Sequence, residues 1–282
     1  MNVLVTGASG FVGNYAVNEL LKEGHRVIAT SRNPDRAKEC TWFSKVHYIP
    51  CDLDKTQDNF FAFFGKPELL IHLAWNGLPN YDGLFHIEEN LPANYRFLKN
   101  IIKHGLNKLL VSGTCLEYGL LSGALDEEMV TAPVTPYGLA KDTLRKCLEQ
   151  LQEKIDFQMK WVRLFYMFGK GQSRHSILAQ LDKAVENEYV EFKMSGGEQL
   201  RDYLPIEKVA EYLIKIAMQT KVNGIINCCS GIPISIRKLV EDYLEKTERN
   251  ISLNLGYYPY PDYEPMAFWG INQKMKMALE IR

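Results

Sequence analysis

Hydrophobic and polar positions alternate through the first half of the chain in the rhythm of a parallel sheet, strand then helix then strand. Asn2–Thr6 is a short apolar run followed by a glycine turn, and Phe11, Val12, Tyr15, Ala16, Leu20 and Leu21 then recur on one helical face until Gly24. Arg26–Thr30 and the stretches 46–49 and 69–74 read as strands. A helix over 90–104 closes at Gly105, and 108–112 is a further strand. A helix entered near Tyr137 continues through 143–154 to a strand at 160–165. After about Phe168 the rhythm loosens. There 177–187 reads as helix, 190–194 as strand, Gly196-Gly197 as a turn, 209–218 as helix and Gly224–Cys228 as strand. The tail over 257–269, rich in Tyr and Pro, reads as irregular. The pattern predicts an α/β fold with a doubly wound parallel sheet over residues 1–168. A smaller domain over 169–282 follows, with segments near 205–230 packing back on the first. Phe60-Phe61-Ala62-Phe63-Phe64 reads as core.

Composition changes this picture little. The 282 residues are 46% hydrophobic and 24% charged, which excludes a disordered chain. With 33 Lys+Arg against 34 Asp+Glu, the net charge of -1 makes no electrostatic case for nucleic acid or an anionic membrane as partner. No apolar run reaches the roughly 18 to 20 residues of a membrane helix. The strand beginning at Asn2 leads us to expect no signal peptide. Cys40, Cys51, Cys115, Cys147, Cys228 and Cys229 contain no CxxC pair, so reduced thiols, a cytoplasmic location and no metal site are expected.

Thr6-Gly7-Ala8-Ser9-Gly10-Phe11-Val12-Gly13 is the strongest local motif. It follows a strand and opens a helix, the context that a dinucleotide site demands. Gly7 permits the tight turn, Gly10 lets backbone N–H groups approach a pyrophosphate, and Gly13 lets the helix lie close to the sheet. In its GxxGxxG spacing the chain resembles the extended branch of the short-chain dehydrogenase/reductase superfamily, the nucleotide-sugar epimerases, dehydratases and reductases. Cys51-Asp52-Leu53-Asp54, Ile71-His72-Leu73-Ala74, Tyr137-Gly138-Leu139-Ala140-Lys141, Arg201-Asp202-Tyr203 and Asn227-Cys228-Cys229-Ser230-Gly231 match in order. The resemblance implies a Rossmann-type nucleotide-binding domain with a smaller C-terminal substrate-binding domain.

It also implies cofactor contacts at Gly7, Ser9, Gly10, Phe11 and Val12. Asp52 and Leu53 would meet the adenine, and Leu73 and Ala74 would line the channel. The alternative for Asp52 is a strand-end or turn carboxylate, and His72 reads as a packed, hydrogen-bonded histidine. Where NAD-binding relatives carry an acidic residue after the second strand, this chain has Ser31 followed by Arg32, with Arg36 and Lys38 nearby. A guanidinium can pair with a 2′-phosphate that a carboxylate would repel, so NADPH is the expected cofactor. The alternative is a solvated loop arginine.

Tyr137 and Lys141 stand one helical turn apart and share a face. An ammonium near a phenol of pKa ~10 favours the phenolate and makes it a usable acid or base. Thr114 occupies the family's hydroxyl position before Tyr118-Gly119, with Ser112 the fallback. Asn90 matches a site-ordering asparagine, though a plain N-cap explains it nearly as well. Dehydratases of the family carry acidic residues just after the hydroxyl. Here those positions are Cys115 and Leu116, and Glu117, one residue on, would face the other way on a strand.

The segment from Ser112 to Gly119 looks like that of enzymes reducing nucleotide-linked 4-keto-6-deoxyhexoses. The expected reaction is therefore NADPH-dependent reduction of such a sugar, with Tyr137 protonating the alkoxide. An NAD-dependent epimerase is the alternative, and a non-catalytic cofactor-sensing protein a third reading. Substrate contacts are expected at Trp75, Thr114, Tyr118, Tyr166 and Arg201, with Phe268 and Trp269 closing over. Arg201 would pair with the pyrophosphate, or with Asp202 or Glu198 as a surface ion pair. Lys170, Arg174 and His175 offer further polar contacts. By the same resemblance, the helices over 90–104 and 137–154 would form a homodimer contact.

Overall fold

The computed structural model describes residues 1–260, 262 and 264–280. In chain order the first half holds β1 (Asn2–Thr6), α1 (Phe11–Lys22), β2 (Arg26–Thr30), α2 (Pro34–Lys38), β3 (His47–Tyr48), α3 (Phe60–Phe63), β4 (Leu69–His72), α4 (Leu91–Lys103), β5 (Lys108–Thr114), β6 (Gly123–Leu125), α5 (Pro136–Gln152) and β7 (Gln158–Leu164). The second half holds β8 (Tyr166–Phe168), α6 (Ile177–Glu186), β9 (Glu191–Lys193), β10 (Leu200–Pro205), α7 (Ile206–Met218), β11 (Gly224–Cys228), β12 (Pro233–Ser235), α8 (Ile236–Lys246), β13 (Ser252–Asn254), β14 (Phe268–Gly270) and α9 (Gln273–Glu280).

Alternating side chains decide the layering. Along β1, Val3 and Val5 face one helical layer and Leu4 the other. The first layer packs α1, α7 and α9 through Val17, Leu20, Leu213 and Ala278. The second packs α3, α4 and α5 through Phe60, Phe97, Leu98 and Leu144. With both faces covered, the strands read as near-continuous apolar runs and pair in parallel. The order is β11-β7-β5-β4-β1-β2-β3 in one seven-stranded sheet. Strand order reverses beside β1, so a crevice opens at the carboxyl ends of β1 and β4, the binding position of doubly wound sheets.

The smaller unit gathers α6, α8, β9 and β13 around Leu178, Leu181, Phe192 and Val240. A three-stranded sheet, β12-β10-β8, and the β14-β6 pair join it to the large sheet's mouth. α7, β11 and α9, all beyond residue 168, lie in the larger unit. α8 and α9 went unread in the pattern because each buries only two residues, Leu239 and Val240 in one and Met275 and Ala278 in the other. The tail expected to be irregular ends in β14; its Pro261 and Tyr263, like the terminal Ile281 and Arg282, lie outside the described residues. The phenylalanine run splits, with Phe60 and Phe64 buried and Phe63 exposed. Among the described residues, no helix is long and apolar enough to cross a membrane.

The glycine turn is held by close packing. Gly7 has a left-handed φ of 69°, and a Cβ there would lie 2.8 Å from the Ala74 nitrogen. A Cβ on Gly13 would lie 2.1 Å from the Gly7 carbonyl oxygen. Gly13→Ala should therefore destabilise the fold by about 1–3 kcal/mol through forced backbone displacement. Urea unfolding of the two proteins would measure it; equal midpoints and slopes would refute the packing argument.

Candidate active site

Thr135 opens α5, its hydroxyl accepting the Gly138 N–H at 3.1 Å while Pro136 fills the first helical position. This start places Tyr137 and Lys141 on the face turned to β5, where they are 7% and 1% exposed. Lys141 Nζ donates to the Ser112 carbonyl at 2.9 Å and lies 4.1 Å above the Trp75 ring. The Tyr137 ring is ringed by His86, Tyr81 and Trp75 at centroid distances of 5.2, 5.6 and 6.0 Å. Its backbone N–H donates to the Tyr81 carbonyl at 3.1 Å.

Burial governs the electrostatics of this pair. It pushes the Tyr137 phenol well above its ordinary value, and the charges of Tyr81, Glu117 and Cys115 add to the rise. A hydrogen bond with the Thr114 hydroxyl works in the opposite sense. Burial also lowers Lys141 to about 7, against the pull of Glu117. The expected arrangement, an ammonium that makes the phenol acidic, is corrected here. Lys141 is tied to Ser112 and Trp75, and desolvation holds Tyr137 in its protonated form.

Thr114 ends β5 as a buried residue whose hydroxyl accepts the Leu116 N–H at 3.2 Å. Ser112, the fallback, turns its hydroxyl to the His72 carbonyl at 3.4 Å, a link between strands. Glu117 is not on a strand. Cys115–Tyr118 forms a 3-10 turn that carries its carboxylate inward, where it accepts the Thr114 N–H at 2.9 Å, Trp161 Nε1 at 2.9 Å and Arg163 Nε at 2.8 Å.

Behind the crevice runs a chain of satisfied polar groups. The Asn94 amide donates to the Asn90 carbonyl at 2.7 Å, so its oxygen accepts from His72 Nε2 at 2.7 Å. That fixes the tautomer, and His72 Nδ1 accepts from the Thr6 hydroxyl at 2.8 Å. Leu73 and Ala74 in turn donate their N–H groups to that hydroxyl at 3.3 and 3.4 Å. His72 is thus packed and neutral, with burial and the Lys141 charge lowering it to about 3. Asn90 stands at the N-cap position of α4, but its side chain makes no capping bond. It ends a π-helical turn, His86–Asn90, and its amide donates to the Asn76 carbonyl at 3.0 Å and His86 Nδ1 at 3.2 Å. His86 Nδ1 also accepts Trp75 Nε1 at 3.0 Å, while Nε2 donates to the Asn80 carbonyl. His86, Tyr81 and Asn94 escaped the sequence reading; no periodicity marks the loop that delivers the first two.

The remaining expected residues divide. Tyr118 is fully buried, donates to Asn227 Oδ1 at 2.8 Å and lies under Arg163, so it belongs to the core and not to a ligand surface. Arg201 is 3% exposed and pairs with Glu264 at 2.9 Å, not with Asp202 or Glu198. Asp202 instead accepts the Ser230 and Gly231 N–H groups. Tyr166 donates to the same Glu264, stacks near Tyr203, and Phe268 lies beneath Arg201. Trp269 is half-buried, while Lys170, Arg174 and His175 are exposed.

A family model for the NAD dependent epimerase/dehydratase family matches residues 3–229. The chain belongs to that family. A dTDP-6-deoxy-L-talose 4-dehydrogenase (NAD(+)) of Aggregatibacter actinomycetemcomitans is 30% identical, covering 96% of this chain and 99% of that protein. A UDP-glucose 4-epimerase of Halalkalibacterium halodurans is 25% identical over 99% of this chain and 90% of its own. The fold is also that of a UDP-N-acetylglucosamine 4-epimerase from Methanobrevibacter ruminantium M1, in complex with UDP-N-acetylmuramic acid. It has a TM-score of 0.87 at 20% identity, over 100% of this chain and 92% of that one.

Membership of the epimerase/dehydratase family implies a nicotinamide dinucleotide, and the glycine turn fits one. α1 has Gly10 at its N-cap, no side-chain cap and no acidic residue in its first turn, so its dipole and N–H groups suit a pyrophosphate. Ser9 is buried in the turn, and half-buried Phe11 and Val12 begin the helix. At the end of β2, the Ser31 hydroxyl meets the Tyr48 hydroxyl at 3.0 Å, and exposed Arg32 donates to the Asn76 side chain. Asp52 accepts the Asp54 N–H at 3.3 Å, the turn contact weighed from the sequence, and Leu53 packs on the second helical layer.

His72 gives this family member a measurable pH dependence. Free histidine binds its proton near ~6.5, whereas folded His72 does so only at about 3. Below pH ~6.5 the unfolded chain takes up a proton that the native state refuses. Stability should therefore fall with pH by up to about 1.4 kcal/mol per unit down to the folded value. Urea unfolding at pH 7 and pH 5 should show a smaller drop for His72→Gln than for the wild type; equal drops would refute the neutral assignment.

Proposed function

We propose that this chain is a nucleotide-diphosphate 4-keto-6-deoxyhexose reductase, in which Tyr137 gives a proton to the forming alkoxide and Thr114 holds the carbonyl oxygen. The observation that carries this reading is the buried group of Thr114, Tyr137 and Lys141 at the carboxyl end of β5. Burial keeps the phenol protonated until a stronger base develops beside it, which suits a proton donor. The relative at 30% identity is a 4-dehydrogenase of a dTDP-6-deoxysugar, which supports a 4-position reaction on such substrates. A nicotinamide dinucleotide, when bound, supplies the hydride. Residues 1–168 would hold the dinucleotide, and 169–282 would mainly hold the nucleotide sugar. The homodimer on α4 and α5, with half-exposed Leu139 on its face, belongs to the same reading.

A second reading, an epimerase that retains its cofactor, is favoured by the 4-epimerases among the relatives. NADPH rests on Ser31 and Arg32, whereas the dehydrogenase relative is named for NAD(+). Absorbance loss of NADPH and NADH against a panel of nucleotide 4-keto-6-deoxysugars separates these possibilities. Net oxidation with a lower KM for NADPH is expected. Retained cofactor without net oxidation would assign the epimerase, and a clear NADH preference would assign NAD.

Tyr137→Phe should bind the dinucleotide as the wild type does while losing about 100-fold or more in kcat. Stopped-flow binding and steady-state turnover would measure both, and wild-type turnover would rule out the proton-donor role.

A further inference from the structure

Among the buried carboxylates that the mechanism above leaves unused, which include Asp142 and Asp202, Glu117 stands beside Thr114. Glu117 has no solvent exposure, yet three donors converge on it: the Thr114 N–H, the Trp161 indole and the Arg163 guanidinium. Arg145 Nε approaches to 3.9 Å from α5, though Asp142 and Glu149 hold the rest of that guanidinium. Room for the carboxylate comes from Gly113, where a Cβ would lie 2.2 Å from Trp161 Nε1 and 2.6 Å from Glu117 Oε1. The residue beside Thr114 is thus bare so that this contact can form.

We propose that Glu117 is a positioning residue of the active site: its carboxylate holds Thr114 by the backbone N–H and so fixes where β5 passes into the 3-10 turn beneath the Thr114 hydroxyl. A burial role for Arg163 alone would not require the bond to Thr114, which continues β5 into the 3-10 turn and sets the direction of the Thr114 hydroxyl. The charge acts on the site as well as the geometry. It raises Lys141 against desolvation and raises Tyr137 together with burial. Arg163 and Trp161 from β7 bond Glu117 and Arg145 from α5 approaches it, while its charge acts on Tyr137 and Lys141 of α5 and on Cys115 of its own turn. The Lys141 charge acts on His72 from β4 and His86 from the π-helical turn, and that of Glu117 acts on Lys141.

The activity arm of this inference rests on the proposed reductase, but the charge arm does not. In protein labelled with ε-13C lysine, the Lys141 signal, assigned by its loss in Lys141→Met, reports the titration of the free enzyme. Glu117→Gln should move that midpoint downward by about one pH unit, since an opposite charge has been removed. Glu117→Asp, which keeps the charge, should leave it within a few tenths. With substrate, Glu117→Gln should lose about tenfold to a hundredfold in kcat with little change in KM. Should Glu117→Gln fail to fold, Glu117→Asp carries the test: its shorter side chain withdraws from the Thr114 N–H, so kcat should fall about tenfold while the Lys141 midpoint holds, and a wild-type kcat would overturn the inference. An unmoved Lys141 midpoint on loss of the Glu117 charge, or equal shifts in the Asp and Gln variants, would overturn the inference. A moved midpoint in an enzyme inert toward every ketosugar would support Glu117's role while refuting the reductase reading.

Discussion

Desolvation of the first turns of α5 against the end of β5 is the constraint on which the site depends. Tyr137 and Lys141 are both titratable, and both lose their hydration there. The same burial raises the phenol and lowers the ammonium, so it drives both groups toward their neutral forms. Exclusion of water strengthens every nearby dipole, so any charge placed there needs a partner. The cost is a lysine whose charge must be supported. A backbone carbonyl, an indole face and a buried carboxylate share that task.

The polar groups around this pair follow the rule that a buried donor needs an acceptor. Thr6, His72, Asn94 and Asn90 pass hydrogen bonds from the glycine turn through β4 to α4, each group satisfied by the next. Asn90, His86 and Trp75 continue the series to the aromatic wall of Tyr137. The glycine turn and the Tyr137 ring are therefore tied to one hydrogen-bonded network. Neutral histidines suit such a network, because a second ring proton would set donor against donor.

Much of the large sheet was legible in the chain. β1, β2 and β11 match their expected bounds, because strands covered on both faces are short unbroken apolar runs between turn residues. α1 and α7 were legible through their apolar stripes. α8 and α9 were not, since few of their positions are buried and most face water. Within the site, motif spacing singled out Tyr137, Lys141, Thr114 and the glycine turn. It could not separate Tyr118, which enters the core, from Trp75, whose ring lies against the Lys141 ammonium, because both are aromatics a few residues beyond a strand.

What the chain determined by itself was therefore local. Residue type and spacing set the glycine turn, the helix carrying Tyr137 and Lys141, and the hydroxyl that ends β5. Tertiary structure decided the partners. Arg201 meets Glu264 from 63 residues away, Glu117 meets Arg163 across 46, and His72 meets Thr6 across 66. It also decided the protonation of Tyr137 and Lys141, which spacing alone had assigned to mutual attraction. The physical reason is that solvation depends on everything packed around a group. A sequence records neighbours along the chain, whereas hydration is lost to neighbours in space.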